Sequence, residues 1–267
     1  MAEPITFQKY EGLGNDFVIV DAADGEIQPE RARALCDRHF GVGADGVLIV
    51  GRPASRGARA SMVVINADGS RPEMCGNGLR CVALHLAQQD ELSSAEYVVD
   101  TDAGPRAASV QRSGEQAMIT LDMGRGEPLG ETRFHFGGRE LRFQHVSMGN
   151  PHAIIFDEGL SEAQMDEVGP KLSSSILGGS NVETVMPRKD GAFDVIVWER
   201  GVGRTLACGT GAAAVAVALA LSGRTTFGRK VQLHLPGGPL ELDVAEGSLV
   251  VSLRGPARRV FSGQVRA

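Results

Sequence analysis

The feature that most limits what this chain can fold into is a short motif used twice. Cys75 stands in Met74-Cys75-Gly76-Asn77-Gly78 and Cys208 in Ala207-Cys208-Gly209-Thr210-Gly211, and each glycine loop runs straight into an apolar stretch of helical character. The two cysteines are 208 − 75 = 133 positions apart, half of the 267-residue chain. Strand-forming segments precede and follow the motif in both halves, so the pattern predicts one α+β unit built twice. A thiol at a helix start sits at the positive end of the helix dipole, beside backbone N–H groups, which should lower its pKa and favour the thiolate. Those N–H groups can also hold a carboxylate. Two such thiols would place one cysteine on each face of a substrate α-carbon, the arrangement that a racemase or epimerase requires.

The other two cysteines read as structural. Cysteine is among the most buried residue types, and Cys36 and Cys81 lie in helical segments away from any glycine loop. No two cysteines have the C-x-x-C spacing of a zinc site, so no metal is expected. Four cysteines in 267 residues are too sparse for a disulfide scaffold.

A hydrophobic content of 42% with 22% charged residues is that of an ordinary globular protein, and the length suggests two domains. The net charge of −6 argues against nucleic acid or an anionic membrane as partner. The longest apolar run, residues 212–221, falls far short of the roughly 20 needed to span a bilayer. Met1-Ala2-Glu3-Pro4 shows no secretory pattern, so a cytoplasmic location is expected.

Short β-branched runs predict strands at 18–20, 47–50, 62–65, 97–99, 118–121, 153–156, 193–198, 231–235 and 249–253. Helices are expected over 29–38, 78–89, 161–172 and 211–222. In the second, Leu79, Val82, Ala83 and Leu86 form a stripe for packing along one face. In the fourth, alanine and valine fill every side, as suits a helix surrounded by strands. Glycines near 124–126 suggest a join, giving domains 1–123 and 124–267, with the last strand, about 257–267, a candidate to return to the N-terminal half.

Five ordered segments, Gly12-Leu13-Gly14-Asn15-Asp16-Phe17, Asn66-Ala67-Asp68-Gly69-Ser70, Met74 to Arg80, Gly149-Asn150-Pro151-His152 and Glu199-Arg200-Gly201 through Gly211, resemble the diaminopimelate epimerase family. The resemblance covers nearly the whole chain. It implies a cofactor-independent isomerase with two pseudo-symmetric α/β halves, each a barrel-like, mostly antiparallel sheet around a central helix, and an active site in the cleft between them. It further implies interconversion of LL- and meso-2,6-diaminoheptanedioate, in lysine and peptidoglycan precursor synthesis, by a homodimer. Cys75 and Cys208 would be the two bases. The N–H groups of Gly76-Asn77 and Gly209-Thr210 would hold the reacting carboxylate. By the same resemblance, Asn15, Asn66, Asn150, Asn181 and Arg200 would recognise the distal amine and carboxylate, with Glu199 and His152 near the reacting amine and thiols.

Some positions depart from the family pattern. Gly46 replaces a glutamine found in some members, Thr184 an aromatic, Arg204 an acidic residue, Ala213 a small polar or thiol residue, and Arg71-Pro72 an acidic or neutral pair. The rival readings are another cofactor-independent racemase of the same fold, acting on proline, hydroxyproline or histidine, and a non-catalytic dithiol redox protein. Proline racemases typically carry His where this chain has Asn77, and a redox protein leaves the Asn and Arg set without a role.

Overall fold

The computed structural model describes residues 4–24, 27–156 and 159–266. Met1–Glu3, on which the expectation of no leader rests, lie outside the described residues. The chain forms two compact units, Met1–Leu121 together with Gly255–Ala267, and Asp122–Arg254.

In the first unit β1 (Ile5–Gly12) and β2 (Asn15–Asp21) form an antiparallel hairpin, turned at Leu13 and Gly14 with φ of 60° and 79°. A 3-10 turn at Ala22–Asp24 and helix α1 (Pro29–Cys36) lead to β3 (Gly46–Gly51), parallel to β2. β4 (Ala60–Asn66) runs antiparallel to β3, helix α2 (Gly76–Gln89) crosses over, and β5 (Ser94–Thr101) lies parallel to β4. The meander of β5, β6 (Gly104–Ser113) and β7 (Gln116–Arg125) follows, and β7 runs unbroken through Gly124. The chain end returns to this unit, pairing antiparallel with β1 so that Ile5 faces Val265 and Glu11 faces Arg258.

The second unit repeats this order of pairings. The hairpin of β8 (Glu127–Phe136) and β9 (Arg139–Ser147) precedes β10 (Pro151–Phe156), antiparallel to β9. Helix α3 (Glu162–Ser175) crosses to β11 (Asn181–Pro187), parallel to β10, and β12 (Phe193–Glu199) runs back antiparallel with the short β13 (Gly203–Thr205) on its edge. Helix α4 (Gly209–Leu221) then crosses to β14 (Val231–Leu235), parallel to β12, and β15 (Gly238–Val244) and β16 (Val250–Val265) complete the antiparallel run. The registers align the two units residue by residue. Phe17 faces Gly46 and His152 faces Asn181, so Phe17 matches His152, Leu48 matches Glu183 and Asn15 matches Asn150.

Helix α4 is buried on all sides from Gly211 to Ala220, as its alanine-rich, stripeless sequence demands. Helix α2 departs from the single apolar face expected of it. Every residue from Gly76 to Ala87 is buried, including Arg80 and His85, because the helix lies against β1 to β6 rather than on top of a sheet. Most of the buried polar atoms are therefore satisfied internally, as the low dielectric requires, with Arg80 Nε left without a partner among the described residues. Arg80 donates to Asn77 Oδ1 and to the carbonyl of Pro256, at 2.6 Å each, and so ties the returning chain end to the helix. His85 Nδ1 lies 3.1 Å from the Tyr10 hydroxyl and its Nε2 3.0 Å from Gln89. Helix α3 opens with a capping box between Ser161 and Gln164. Its Gly169 packs directly on Trp198, where a Cβ would come within 2.5 Å of the ring, so this tryptophan serves packing.

Burial pushes the His85 imidazole down to about 4, so it folds neutral and the unfolded chain binds the extra proton between pH 4 and 6.5. The His85 contribution to stability should fall as pH drops through this window and level off below it. Urea midpoints of wild type and His85→Gln should differ in slope over that range by up to about 1.4 kcal/mol per pH unit, the wild type being the steeper. Equal slopes would show that His85 takes up its proton while folded.

Candidate active site

Cys75 and Cys208 are the N-caps of α2 and α4. Both have extended backbones, φ −136° and −124°, and each sulfur accepts the N–H of the third residue on, Gly78 or Gly211, at 3.3 Å. The carbonyls of the two cysteines receive the first helical bonds, from Leu79 and Ala212. Cysteine thus does what serine or threonine usually does at this position, and the N–H groups of Gly76-Asn77 and Gly209-Thr210 lie in the first turn, which has no carbonyl of its own to bond. The second glycine lets a strand side chain approach closely in both motifs. A Cβ at Gly78 would meet Leu48 Cδ2 at 2.9 Å, and one at Gly211 would meet Glu183 Oε1 at 2.6 Å.

Around the first motif the side chains form a chain of hydrogen bonds. Arg80 donates to Asn77 Oδ1, Asn77 Nδ2 donates to Asn15 Oδ1 at 3.0 Å, and Asn15 Nδ2 donates to Asp45 at 2.7 Å. Asp45 and Asp16 share Arg38, while Lys9 pairs with Asp16 at 2.5 Å. Burial raises the Asp16 carboxyl, but hydrogen bonds from Arg38 and Lys9 outweigh it and hold the group below the usual carboxylate range. Asn66 is engaged in its own turn, with Nδ2 on Ser70 Oγ at 3.0 Å and its carbonyl accepting from Gly69.

The second motif lies in a network of different chemistry. Cys208 Sγ is 3.4 Å from Thr210 Oγ1, which accepts from Asn150 Nδ2 at 3.4 Å. Asn150 Oδ1 lies 3.2 Å from His152 Nε2, and His152 Nδ1 lies 2.7 Å from Glu183 Oε1. Glu199 accepts from Thr205 at 2.6 Å, and burial raises its carboxyl above the usual range, with the Glu183 charge adding to the effect. Asn181 is spent on the backbone, donating to Pro151 O and accepting the Arg200 N–H at 2.9 Å. The exposed Arg200 guanidinium donates to Gly178 O and, among the described residues, pairs with no carboxylate.

The expected lowering of the thiol does not hold at Cys208. Burial pushes this thiol well above its ordinary value, and the charges of Glu199 and Glu183 push it further; Thr210 and the Gly211 N–H only partly offset them. Cys36 is likewise pushed up to about 11 and Cys81 higher still, both by burial, as suits packed thiols. Three residues in this constellation, Glu183, Asp45 and Thr205, escape the sequence reading. A carboxylate between the strand-forming Val182 and Val185 was the available signal for Glu183.

The departures from the family pattern also find their places. Arg204 grips Asp166 and Glu162 of α3 at 2.7 and 2.6 Å, Arg71 grips Asp102, and Ala213 is buried in α4. At Gly46 a Cβ would lie 3.0 Å from Ile65 O and 3.5 Å from the Phe17 ring.

The profile of one protein family, diaminopimelate epimerase, matches residues 7–127 and 144–260, spanning both motifs. The chain belongs to the diaminopimelate epimerase family. It is 41% identical over 276 residues to the diaminopimelate epimerase of Desulfitobacterium hafniense, covering 96% of each chain. To that of Synechococcus elongatus it is 39% identical, covering 98% of each. Among solved structures it resembles a hydroxyproline epimerase from Agrobacterium vitis, with a TM-score of 0.80, 16% identity and coverage of 98% and 91%. A Bacillus anthracis phenazine biosynthesis protein of the PhzF family gives a TM-score of 0.78 at 17% identity, covering 99% and 100%. At those identities the structures share the fold: α+β, with few helices.

The two glycines make opposite predictions for alanine. At Gly78 the neighbour is the end of a leucine side chain, which can yield, and the gain in helix propensity of up to about 1 kcal/mol offsets the crowding. At Gly211 the neighbour is a buried carboxylate held by His152, so Gly211→Ala should destabilise by about 1–3 kcal/mol. Equal melting temperatures for Gly78→Ala and Gly211→Ala would contradict this.

Proposed function

We propose that this member of the family interconverts LL- and meso-2,6-diaminoheptanedioate by two-base proton transfer, with Cys75 and Cys208 as the bases. The observation that carries the reading is that these two cysteines alone among the four cap buried helices, with their sulfurs beside first-turn N–H groups. An amino-acid α-hydrogen is a poor acid, so its removal needs a base and a place for the developing negative charge. One thiolate takes the proton, the substrate carboxylate receives the charge against the N–H groups of Gly76-Asn77 and Gly209-Thr210, and the other thiol delivers its proton to the opposite face. The sulfurs exchange protonation states, no electrons are gained or lost, and the reverse reaction restores them. No cofactor enters the scheme. The two thiols titrate as a coupled pair.

Burial together with Glu199 and Glu183 favours the thiol form of Cys208, which suits it to give a proton first. Glu199, itself raised by burial, gains an ionised partner when a substrate ammonium binds. At the distal end, the exposed fork of Arg200 can take a carboxylate bidentately, with Asn15, Asn66, Asn150 and Asn181 completing recognition. We further assign the reaction to lysine and peptidoglycan precursor synthesis, in the cytoplasm, by a homodimer. No helix among the described residues is long and apolar enough to cross a membrane.

Cys75→Ala and Cys208→Ala should each lower kcat by at least about 100-fold in both directions under reducing conditions. Solvent deuterium incorporation into LL-diaminopimelate, measured beside L-proline and L-lysine, checks substrate and mechanism together. Turnover by either alanine variant above a few per cent of wild type would remove the two-base scheme, and comparable exchange into lysine would remove the distal role of Arg200.

Light scattering of the active enzyme should give twice the mass of one chain. A monomeric mass at full activity would show that pairing is dispensable.

A further inference from the structure

The two units differ most at one matched pair of positions beneath the helix start. In the first unit these positions hold Phe17 and Leu48, and Leu48 fills the space beside Gly78. In the second they hold His152 and Glu183, and Glu183 fills the space beside Gly211. Both residues of the second pair are 0% exposed, with Nδ1 and Oε1 2.7 Å apart. An apolar pair is therefore sufficient to seat a cysteine-capped helix in this fold. Replacing it with a buried ion pair gains no stability as a rule, and here it leaves Glu183 Oε2 without a hydrogen-bond partner among the described residues. The reason for the pair lies in what it touches.

Glu183 Oε1 lies 2.7 Å from Nδ1 and the Asn150 carbonyl oxygen 3.2 Å from Nε2, so the imidazole is held between the two side chains. The Asn150 amide is thereby fixed with its NH2 toward Thr210. Having accepted from Asn150, Thr210 Oγ1 directs its own hydrogen at Cys208 Sγ, 3.4 Å away. In the first unit the matched path is closed at its start, since Phe17 has no polar atom, and Asp45 orients Asn15 instead.

We propose that Glu183 is a positioning residue for Cys208: by clamping His152 it orients Asn150 and Thr210 so that a hydroxyl hydrogen meets the sulfur when Cys208 carries negative charge. This rests on the reading of Cys208 as a proton carrier. The charged or titratable groups facing the sulfur are Glu199 and Glu183, with Thr210 and the Gly211 N–H beside them. Those facing His152 are Glu183, Glu199 from β12 and, from β9, His145.

The test compares the full-length Glu183→Gln, Glu183→Leu and Glu183→Asp enzymes. The leucine variant reproduces the apolar packing that Leu48 provides in the other unit. Gln and Leu should lower kcat at least about 10-fold with KM within about threefold. Asp should recover most of the loss. An unchanged kcat in the Gln and Leu enzymes, a loss carried by KM rather than kcat, or an equal loss in Asp and Leu would overturn the proposal. If Cys208→Ala abolishes turnover while the Glu183 variants are unaffected, this inference alone fails; if Cys208→Ala retains turnover, the two-base reading fails.

Discussion

A helix buried on every side brings its unbonded first-turn N–H groups into a medium where water cannot serve them. Leaving such donors unsatisfied costs about 1–3 kcal/mol each. Both α2 and α4 meet this constraint with a cysteine sulfur on the third N–H and glycines that let neighbouring strands approach closely. The rest of the site follows from this seating. The strand residue against the second glycine, Leu48 or Glu183, is fixed by the same contact. The asparagines matched by register, Asn15 and Asn150, reach the residue two beyond each cysteine, Asn77 and Thr210. Donors that fold stability needs to see satisfied are also the donors a carboxylate could use.

Duplication supplies the frame and divergence supplies the chemistry. The order of antiparallel and parallel pairings is repeated, with a crossover helix at each parallel step, yet different charged groups lie near the two sulfurs. Near Cys75 the buried guanidinium of Arg80 adds a positive charge, held by Asn77 and Pro256. Around Cys208 two carboxylates, Glu199 and Glu183, favour the protonated thiol.

Much of the fold was legible from hydrophobic runs alone. The four helices and the strands at β2, β3, β4, β5, β7, β10, β12, β14 and β16 lie where β-branched runs or apolar helical stretches place them. The strands β1, β6, β8, β9, β11, β13 and β15 escaped, and in two of them the apolar signal is weak. β8 is exposed along most of its length, and β6 alternates polar residues such as Arg106, Gln111 and Arg112. Such segments become strands because a neighbour offers a ladder, which no local window records. The expected single stripe on α2 failed for a related reason. Arg80 and His85 look like solvent-facing residues until partners from β1 and the chain end are brought to them.

The sequence by itself determined the duplicated Cys-Gly-x-Gly helix starts, the fold class they imply and the family, because backbone capping and glycine spacing act over a few residues and leave a local record. Only the tertiary structure decided the protonation preference of Cys208 and the membership of Glu183, Asp45 and Thr205 in the site. A dipole argument made from sequence sees the helix that follows the thiol. It cannot see the depth of burial, or the carboxylates that β11 and β12 bring to it, and at Cys208 these outweigh the helix. Partners separated along the chain are joined by strand register, and register is a property of the folded sheet.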